Sequence, residues 1–367
     1  MNKGFWLALA LLLALLLAIM PALLIAQYWL SSPCSDFKHC NASPNLQTKH
    51  NVKLAKVKLN QGLTLWQQGL YDEALLSLVD ASELGSQPAE LYRQYAQDWL
   101  DSHQNAALYS SDLPNWAGAG CLQQVLFVTS ELPSLGQASD FIRRFNTDLR
   151  LQSLPICIAP KVVFVPQLLE CDDVDSNTRI SCDIAPLAAH LKDRQFTHLV
   201  IFTRQGKANV HNGIMYLDLQ DTYDVLIHEM AHFAGFIDEY PLSKELAERV
   251  CSGIAAPNLV FQQAGQKQPD LHYWQGLGRT DIPLLSKART CNNHSAQAFK
   301  TSKEMTFMEY HDLRRIPATY LAAWQASLQQ NKHITPAFIN FAQLYEQQND
   351  VSAVYWRARY EAFHQPP

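Results

Sequence analysis

One stretch constrains this chain more than any other: His228-Glu229-Met230-Ala231-His232-Phe233-Ala234-Gly235-Phe236-Ile237-Asp238-Glu239-Tyr240. Successive residues of an α-helix turn by about 100°, so His228 and His232 lie ~40° apart on one face, where both imidazoles reach one metal ion. Glu229 sits beside that face, placed to take a proton from a water that the metal activates. The flanks support a helix. Asp221-Thr222-Tyr223-Asp224 offers an N-cap with an acid in the first turn, and Val225, Leu226, Met230 and Phe233 supply an apolar side. Gly235 stands where a C-cap needs positive φ. In an ordinary core helix two imidazoles and a carboxylate would be buried at a cost, which a shared metal removes.

The pattern HExxHxxGxx followed by Asp238 resembles the metzincin-like metallopeptidases, and the Asp238-Glu239-Tyr240 ending is similar to that of the family that includes IgA-cleaving metalloproteases. The resemblance covers roughly residues 120–315 in layout. It implies a zinc site of His228, His232 and Asp238 with Glu229 as general base. Thr306-Phe307-Met308-Glu309-Tyr310 looks like the Met-turn of astacin- and serralysin-type enzymes. That likeness implies Met308 as a hydrophobic floor, with Met305 as the weaker alternative, and Tyr310 as a phenol stabilising an oxyanion. A carboxylate third ligand partly neutralises Zn²⁺ and leaves the activated water slightly less acidic than three histidines would. Glu245 and Glu248 compete with Asp238 for the third position. Gly235 favours Asp238, because it suits a chain turning back at once.

The N-terminus carries the second strong signal. No charge occurs from Gly4 to Leu30, a length of ~40 Å as a helix against a hydrocarbon core of ~30 Å. This predicts an uncleaved transmembrane signal anchor. Eight cysteines, Cys34, Cys40, Cys121, Cys157, Cys171, Cys182, Cys251 and Cys291, all lie outside that span and show no CxxC spacing. They predict disulfides in an oxidising compartment, with the body facing the periplasm or the exterior. Cys34–Cys40 and Cys171–Cys182 are the neighbouring pairs expected to join. A metal-blocking role for Cys121 is open.

The resulting organisation is a transmembrane signal anchor (1–30), a polar stalk (31–52), a helical segment resembling a tetratricopeptide repeat (53–115), a metallopeptidase-like domain (116–315) and a C-terminal helical hairpin (316–367). Gly62, Gly69, Tyr71, Ala74, Leu78 and Ala81 carry the repeat-like spacing, in which small residues permit close helix crossing. One repeat cannot bury its own face, so packing onto the domain is preferred to peptide binding. Strands are predicted over 124–129, 161–165, 199–203 and 214–217, and helices over 138–149 and 184–191. The fold class is α+β: a zincin/metzincin-like domain with a mixed sheet and active-site helix, flanked by α-helical hairpins and the transmembrane helix. Ile214–Leu217 or its neighbour would be the edge strand that pairs with extended substrate. Residues 241–300 read as irregular loops held by Cys251 and Cys291.

Net charge is −5 with 17% charged residues, so nothing suggests nucleic acid. His190, His198, His211 and His311 have no ligand spacing, although His311 directly follows the Met-turn-like stretch. The expectation is a membrane-anchored zinc endopeptidase acting on protein or peptide, with the helical repeats as a possible protein-partner surface. Two alternatives stand beside it: a catalytically silent adaptor, against which the intact Glu229 argues, and a zinc hydrolase of a non-peptide or cell-wall amide bond.

Overall fold

The computed structural model describes residues 44–104, 116, 120–166, 168–172, 175, 177–253, 255–278 and 285–365. The predicted span at Gly4–Leu30 and the Cys34–Cys40 pair fall outside them, and no described helix is long and apolar enough to cross a membrane. The elements are α1 (Pro44–Gln67), α2 (Tyr71–Glu83), α3 (Gln87–Gln104), β1 (Gln123–Thr129), α4 (Leu132–Thr147), β2 (Ile156–Ile158), β3 (Val163–Phe164), β4 (Glu170–Cys171), β5 (Cys182–Asp183) and α5 (Ala185–His190). They continue with β6 (His198–Phe202), β7 (Asn209–His211), β8 (Ile214–Leu217), α6 (Tyr223–Phe233), α7 (Lys244–Cys251), β9 (Val260–Gln262), α8 (His272–Gly276), β10 (Ser286–Ala288), β11 (Gln297–Lys300), α9 (Ala318–Gln330), α10 (Phe338–Gln347) and α11 (Ser352–Phe363).

Helices therefore surround a mixed sheet of order β2-β1-β6-β8-β7, with β3 also on β1. Every pairing is parallel except β7 with β8. The central strand β6 is buried throughout, and its period of two divides it between two cores. Val200 and Phe202 face the core holding α4, α6 and α9, whereas Leu199 and Ile201 face the one holding α5, α10 and α11. α4 begins at Leu132, earlier than the expected residue 138. Pro133 falls in its first turn, where the missing N–H would have no partner anyway.

The repeat-like helices pack against one another and onto the domain. A Cβ on Gly62 would stand 2.9 Å from Leu78 Cγ and 3.2 Å from the Ala74 carbonyl, so this crossing depends on glycine. Trp66 stacks on Phe164 at 5.9 Å, and Leu132 and Leu135 join the same cluster, which seats α1–α3 on the domain. α1 begins at Pro44, inside the stretch read as a polar stalk. The C-terminal region holds three helices where a hairpin was expected. α10 and α11 form the hairpin, burying Phe341 and Trp356 (4.6 Å between rings), whereas α9 belongs to the core beneath α6.

Residues 241–300 are more ordered than their composition suggests. β10-β11-β9 form a three-stranded antiparallel sheet, missed because each strand has only three or four residues and an even mix of polar and apolar ones. Among the described residues three disulfides are present: Cys121–Cys157, Cys171–Cys182 and Cys251–Cys291. The second is the expected neighbour pair. The first occupies the Cys121 thiol and ends its candidacy as a metal blocker.

Gly213 joins β7 to β8 at φ 78°, and a Cβ there would stand 2.4 Å from the Thr335 carbonyl oxygen and 2.5 Å from Ala337 N. Gly213→Ala should therefore cost at least about 2 kcal/mol in urea unfolding, through backbone strain and overlap together. Gly265 (φ 86°) has nothing within 4 Å of its ideal Cβ, so Gly265→Ala should cost about 1–2 kcal/mol at most. Equal losses would contradict the close approach of residues 335–337 to this turn.

Candidate metal centre and active-site cleft

α6 supplies the first three groups. Thr222 is its N-cap, its side chain accepting from Val225 N at 3.3 Å, and Asp224 in the first turn pairs with Arg314 at 3.3 Å and Arg150 at 3.4 Å. Buried on almost every side, the helix cannot roll, so its histidines have fixed directions. His228 Nδ1 lies 2.8 Å from the Phe307 carbonyl and His232 Nδ1 2.8 Å from the Phe236 carbonyl. A carbonyl only accepts, so each Nδ1 carries the proton and each Nε2 presents a lone pair.

Those lone pairs meet the carboxylate of Asp238. At the end of α6 Gly235 adopts φ 84°, and the Gly235 and Phe236 amides donate back to the His232 and Ala231 carbonyls. The chain reverses and brings Asp238 Oδ1 to 3.1 Å from His228 Nε2 and 3.3 Å from His232 Nε2. Two ligands of a tetrahedral zinc at ~2.0–2.1 Å are themselves about 3.3 Å apart. Asp238 Oδ1 is buried and, among the described residues, receives no hydrogen bond. Three acceptors thus face one another, an arrangement that fits a cation between them. The ligand atoms of His228, Glu229 and His232 also lie within 4.8 Å of one another. Asp238 is the better third donor because its oxygen is closer to both nitrogens. The competing Glu245 and Glu248 sit on α7, where Glu248 lies 3.5 Å from His294, and neither belongs to the described cluster.

The loop carrying Asp238 is gripped on every side. Asn258 clasps Ile237 through both amide atoms (3.0 and 2.7 Å), and Thr290 donates to the Asp238 carbonyl at 2.8 Å. The Tyr240 hydroxyl donates to Asp238 Oδ2 at 2.7 Å. Glu239, fully buried, accepts from Asn258 (3.0 Å), Lys300 (3.1 Å), Thr306 (2.6 Å) and Tyr320 (2.5 Å). Its amide donates to the Met308 carbonyl at 2.9 Å. One carboxylate therefore joins the ligand loop, β11, the Thr306–Met308 turn and α9, and removing any one donor would leave a buried charge short of a partner. Glu239 is not legible as a site residue from local pattern, because its partners lie far away in sequence. Its place beside the ligand in the DEY ending was the one available signal.

Met308 is fully buried next to Phe307, whose carbonyl orients His228, so this turn lies directly against α6. Met305 is 55% exposed and is not the floor. Tyr310 is half-exposed and lines a cleft of about 460 Å³ together with His228, Glu229, Tyr240, Lys207 and His311. The His311 ring lies 6.4 Å from that of His228. The cleft's other wall is acidic. Burial, and then the charges of Asp218 and Glu229, push the Asp221 carboxyl up to about 7 against backbone hydrogen bonding from Asp218.

Of the two strands expected at the edge, it is the neighbour of Ile214–Leu217 that lies there. Ile214–Leu217 is interior, between β6 and β7, so β7 forms the edge. Its approach is covered: Lys207 N donates to the Thr178 carbonyl at 2.8 Å, and Ile180 N donates to the Lys207 carbonyl at 3.3 Å. At the far end Asn340 Nδ2 donates to the His211 and Asn212 carbonyls at 2.8 and 2.9 Å. The covering strap, Thr178–Ile180, lies inside the loop closed by Cys171–Cys182.

Electrostatics at the centre predict a pH signature for metal-free protein. Burial alone would push the His232 imidazole down, but the adjacent Asp238 carboxylate raises it from 6.5 to about 9. Asp238 is shifted in the opposite sense: burial would raise it, and the two imidazoles hold it far below its ordinary 3.8. His232, raised, contributes stability that is complete below about 6.5 and lost as pH climbs through about 9. Asp238, depressed, contributes above its ordinary value and loses this only in strong acid. In chelator, thermal stability should fall between pH 6.5 and 9, and Asp238→Asn should flatten that fall. Identical slopes in the two proteins would contradict the pairing.

No protein-family model matches the chain, and no curated protein shows significant similarity to it. What the cleft does must follow from its own chemistry.

Proposed function

We propose that this chain is a zinc-dependent hydrolase of the metzincin-like kind, cleaving peptide bonds in protein or peptide substrates. One observation carries the reading. The buried, unpartnered Asp238 Oδ1 lies 3.1 and 3.3 Å from two imidazole nitrogens whose protons are committed elsewhere. A zinc ion held by His228, His232 and Asp238 would supply Lewis acidity, lowering the pKa of water and polarising a carbonyl.

The chain's own groups account for the remainder. Glu229, buried on α6 and lining the cleft, accepts the water proton and returns it to the departing amine. The Phe307 and Phe236 carbonyls fix both imidazoles in the ligating tautomer, so no reorganisation is needed. Tyr310, on the cleft rim, is the phenol assigned to the developing oxyanion. The helix carrying His228 and His232 follows directly on the strand beside the antiparallel edge strand, so the site opens next to that edge. Anchoring at the membrane through Gly4–Leu30, with the body in an oxidising compartment, accords with the three disulfides.

Glu229→Gln should keep zinc and lose at least about 100-fold in turnover of an unstructured protein substrate, because general-base catalysis contributes that much. Asp238→Ala should lose both zinc and activity. A Glu229→Gln protein that still turns over at the wild-type rate would overturn the assignment.

The strap favours a second reading, that of a hydrolase for compact amide substrates such as cell-wall cross-links. Lys207 already spends both backbone groups on Thr178 and Ile180, so an extended peptide cannot pair there while the strap stays. Opening the Cys171–Cys182 loop with Cys171→Ser/Cys182→Ser decides between them. If extended peptide is the substrate, kcat/KM on unfolded protein should rise about 10-fold, as two backbone hydrogen bonds become available. An unchanged rate on unfolded protein, with full activity on short amides, would favour the compact substrate.

A further inference from the structure

Between Asp36 and Asp72 the chain contains no acidic residue, yet it carries Lys38, Lys49, Lys53, Lys56 and Lys58 in a protein whose net charge is −5. Four of these lie on α1. At about 100° per residue, Lys49, Lys53 and Lys56 fall within a ~60° stripe. Ala55, Gly62 and Trp66, the buried positions of the helix, lie on a different face, roughly 90–140° away. Lys58 points elsewhere and pairs with Asp80 at 2.8 Å. Among the described residues, none of the three stripe lysines is in an ion pair.

The stripe works against the helix that carries it. Lys49 and Lys53 are spaced i,i+4, and Lys53 and Lys56 i,i+3, so each pair repels, and α1 has no acid to offset them. Residues 48–54 are exposed throughout, so this end of α1 stands clear of the body. Val52 (64% exposed) and Val57 (56% exposed) flank the lysines, one on each side. A narrow cationic stripe bordered by apolar side chains fits an interface that presents anions above hydrocarbon. In the sequence, α1 follows the uncharged Gly4–Leu30 stretch after only 13 residues, Ser31 to Ser43, a tether of at most ~45 Å.

We propose that the Lys49–Lys53–Lys56 face of α1 docks on an anionic lipid surface. Each lysine near such a surface favours the docked state by about 5-fold, so the three together favour it by roughly 100-fold over a neutral bilayer. Docking would lay α1 along the headgroups and fix the height and tilt of α2 and α3, and through Trp66 and Phe164 those of the whole domain.

The test uses the full chain in vesicles of phosphatidylcholine alone and of phosphatidylcholine with phosphatidylglycerol, treated with a water-soluble amine-acylating reagent and mapped by mass spectrometry. Co-sedimentation with both vesicle types first shows whether the chain is anchored; if it is not, the same vesicles and reagent are used on the soluble chain. Acylation of Lys49, Lys53 and Lys56 should slow at least about 5-fold on anionic vesicles, and high salt should restore it. Lys244 and Lys287, exposed and carried on α7 and β10, should react equally in both. Lys53→Glu should return Lys49 and Lys56 to the rate seen on phosphatidylcholine. Equal rates on the two vesicle types would overturn the proposal. So would a slowing shared equally by Lys58, Lys244 and Lys287, because that would report nearness to the membrane and not a docked face.

Discussion

Everything at the candidate centre depends on one electrostatic constraint: two imidazole nitrogens and a carboxylate oxygen converge within 3.1–3.3 Å, a cluster that needs a cation, which is a proton in the metal-free protein. In a buried setting such a cluster repels itself unless a cation joins it. The Phe307 and Phe236 carbonyls enforce this by taking the Nδ1 protons, which leaves the lone pairs no direction but inward. The geometry of the candidate site is thus set by backbone positions on either side of α6, and not only by its side chains.

Holding that arrangement needs a rigid frame, which Glu239 and its donors supply. Tyr320 reaches it from α9, 81 residues away in sequence, and Lys300 reaches it from β11, 61 residues away. Lys300 also binds Glu309 at 2.9 Å, beside the cleft. Such a buried ionic network is poor evidence for stability as such, but it has few alternative geometries once formed. It ties the reversal after Gly235, the Met308 turn and the lower sheet into one body, so that Asp238 has no freedom to swing from the histidines.

How much of this could be read from the sequence follows the range of the interactions. Helix α6, its Thr222 cap and the Gly235 reversal are local, and the motif showed them. Asp238 could be placed because it lies only six residues beyond His232. The Cys171–Cys182 bridge was legible as a neighbouring pair. The strap over β7 was not, because it rests on backbone bonds of Lys207 that any residue could make. The clamp on Glu239 was hidden for another reason: its donors come from four separate segments, and each of those residues is unremarkable where it stands. β7 escaped notice because three residues show no usable period. α9 read as one more appended helix, although Tyr320 and Trp324 place it in the core under the site.

The most direct test of the central claim is anomalous diffraction at the zinc edge from crystals of the intact protein grown with zinc. One peak about 2.0–2.1 Å from His228 Nε2, His232 Nε2 and an Asp238 carboxylate oxygen is the predicted result. A fully occupied peak ligated by other residues, or a clear map with no peak between these three side chains, would contradict it.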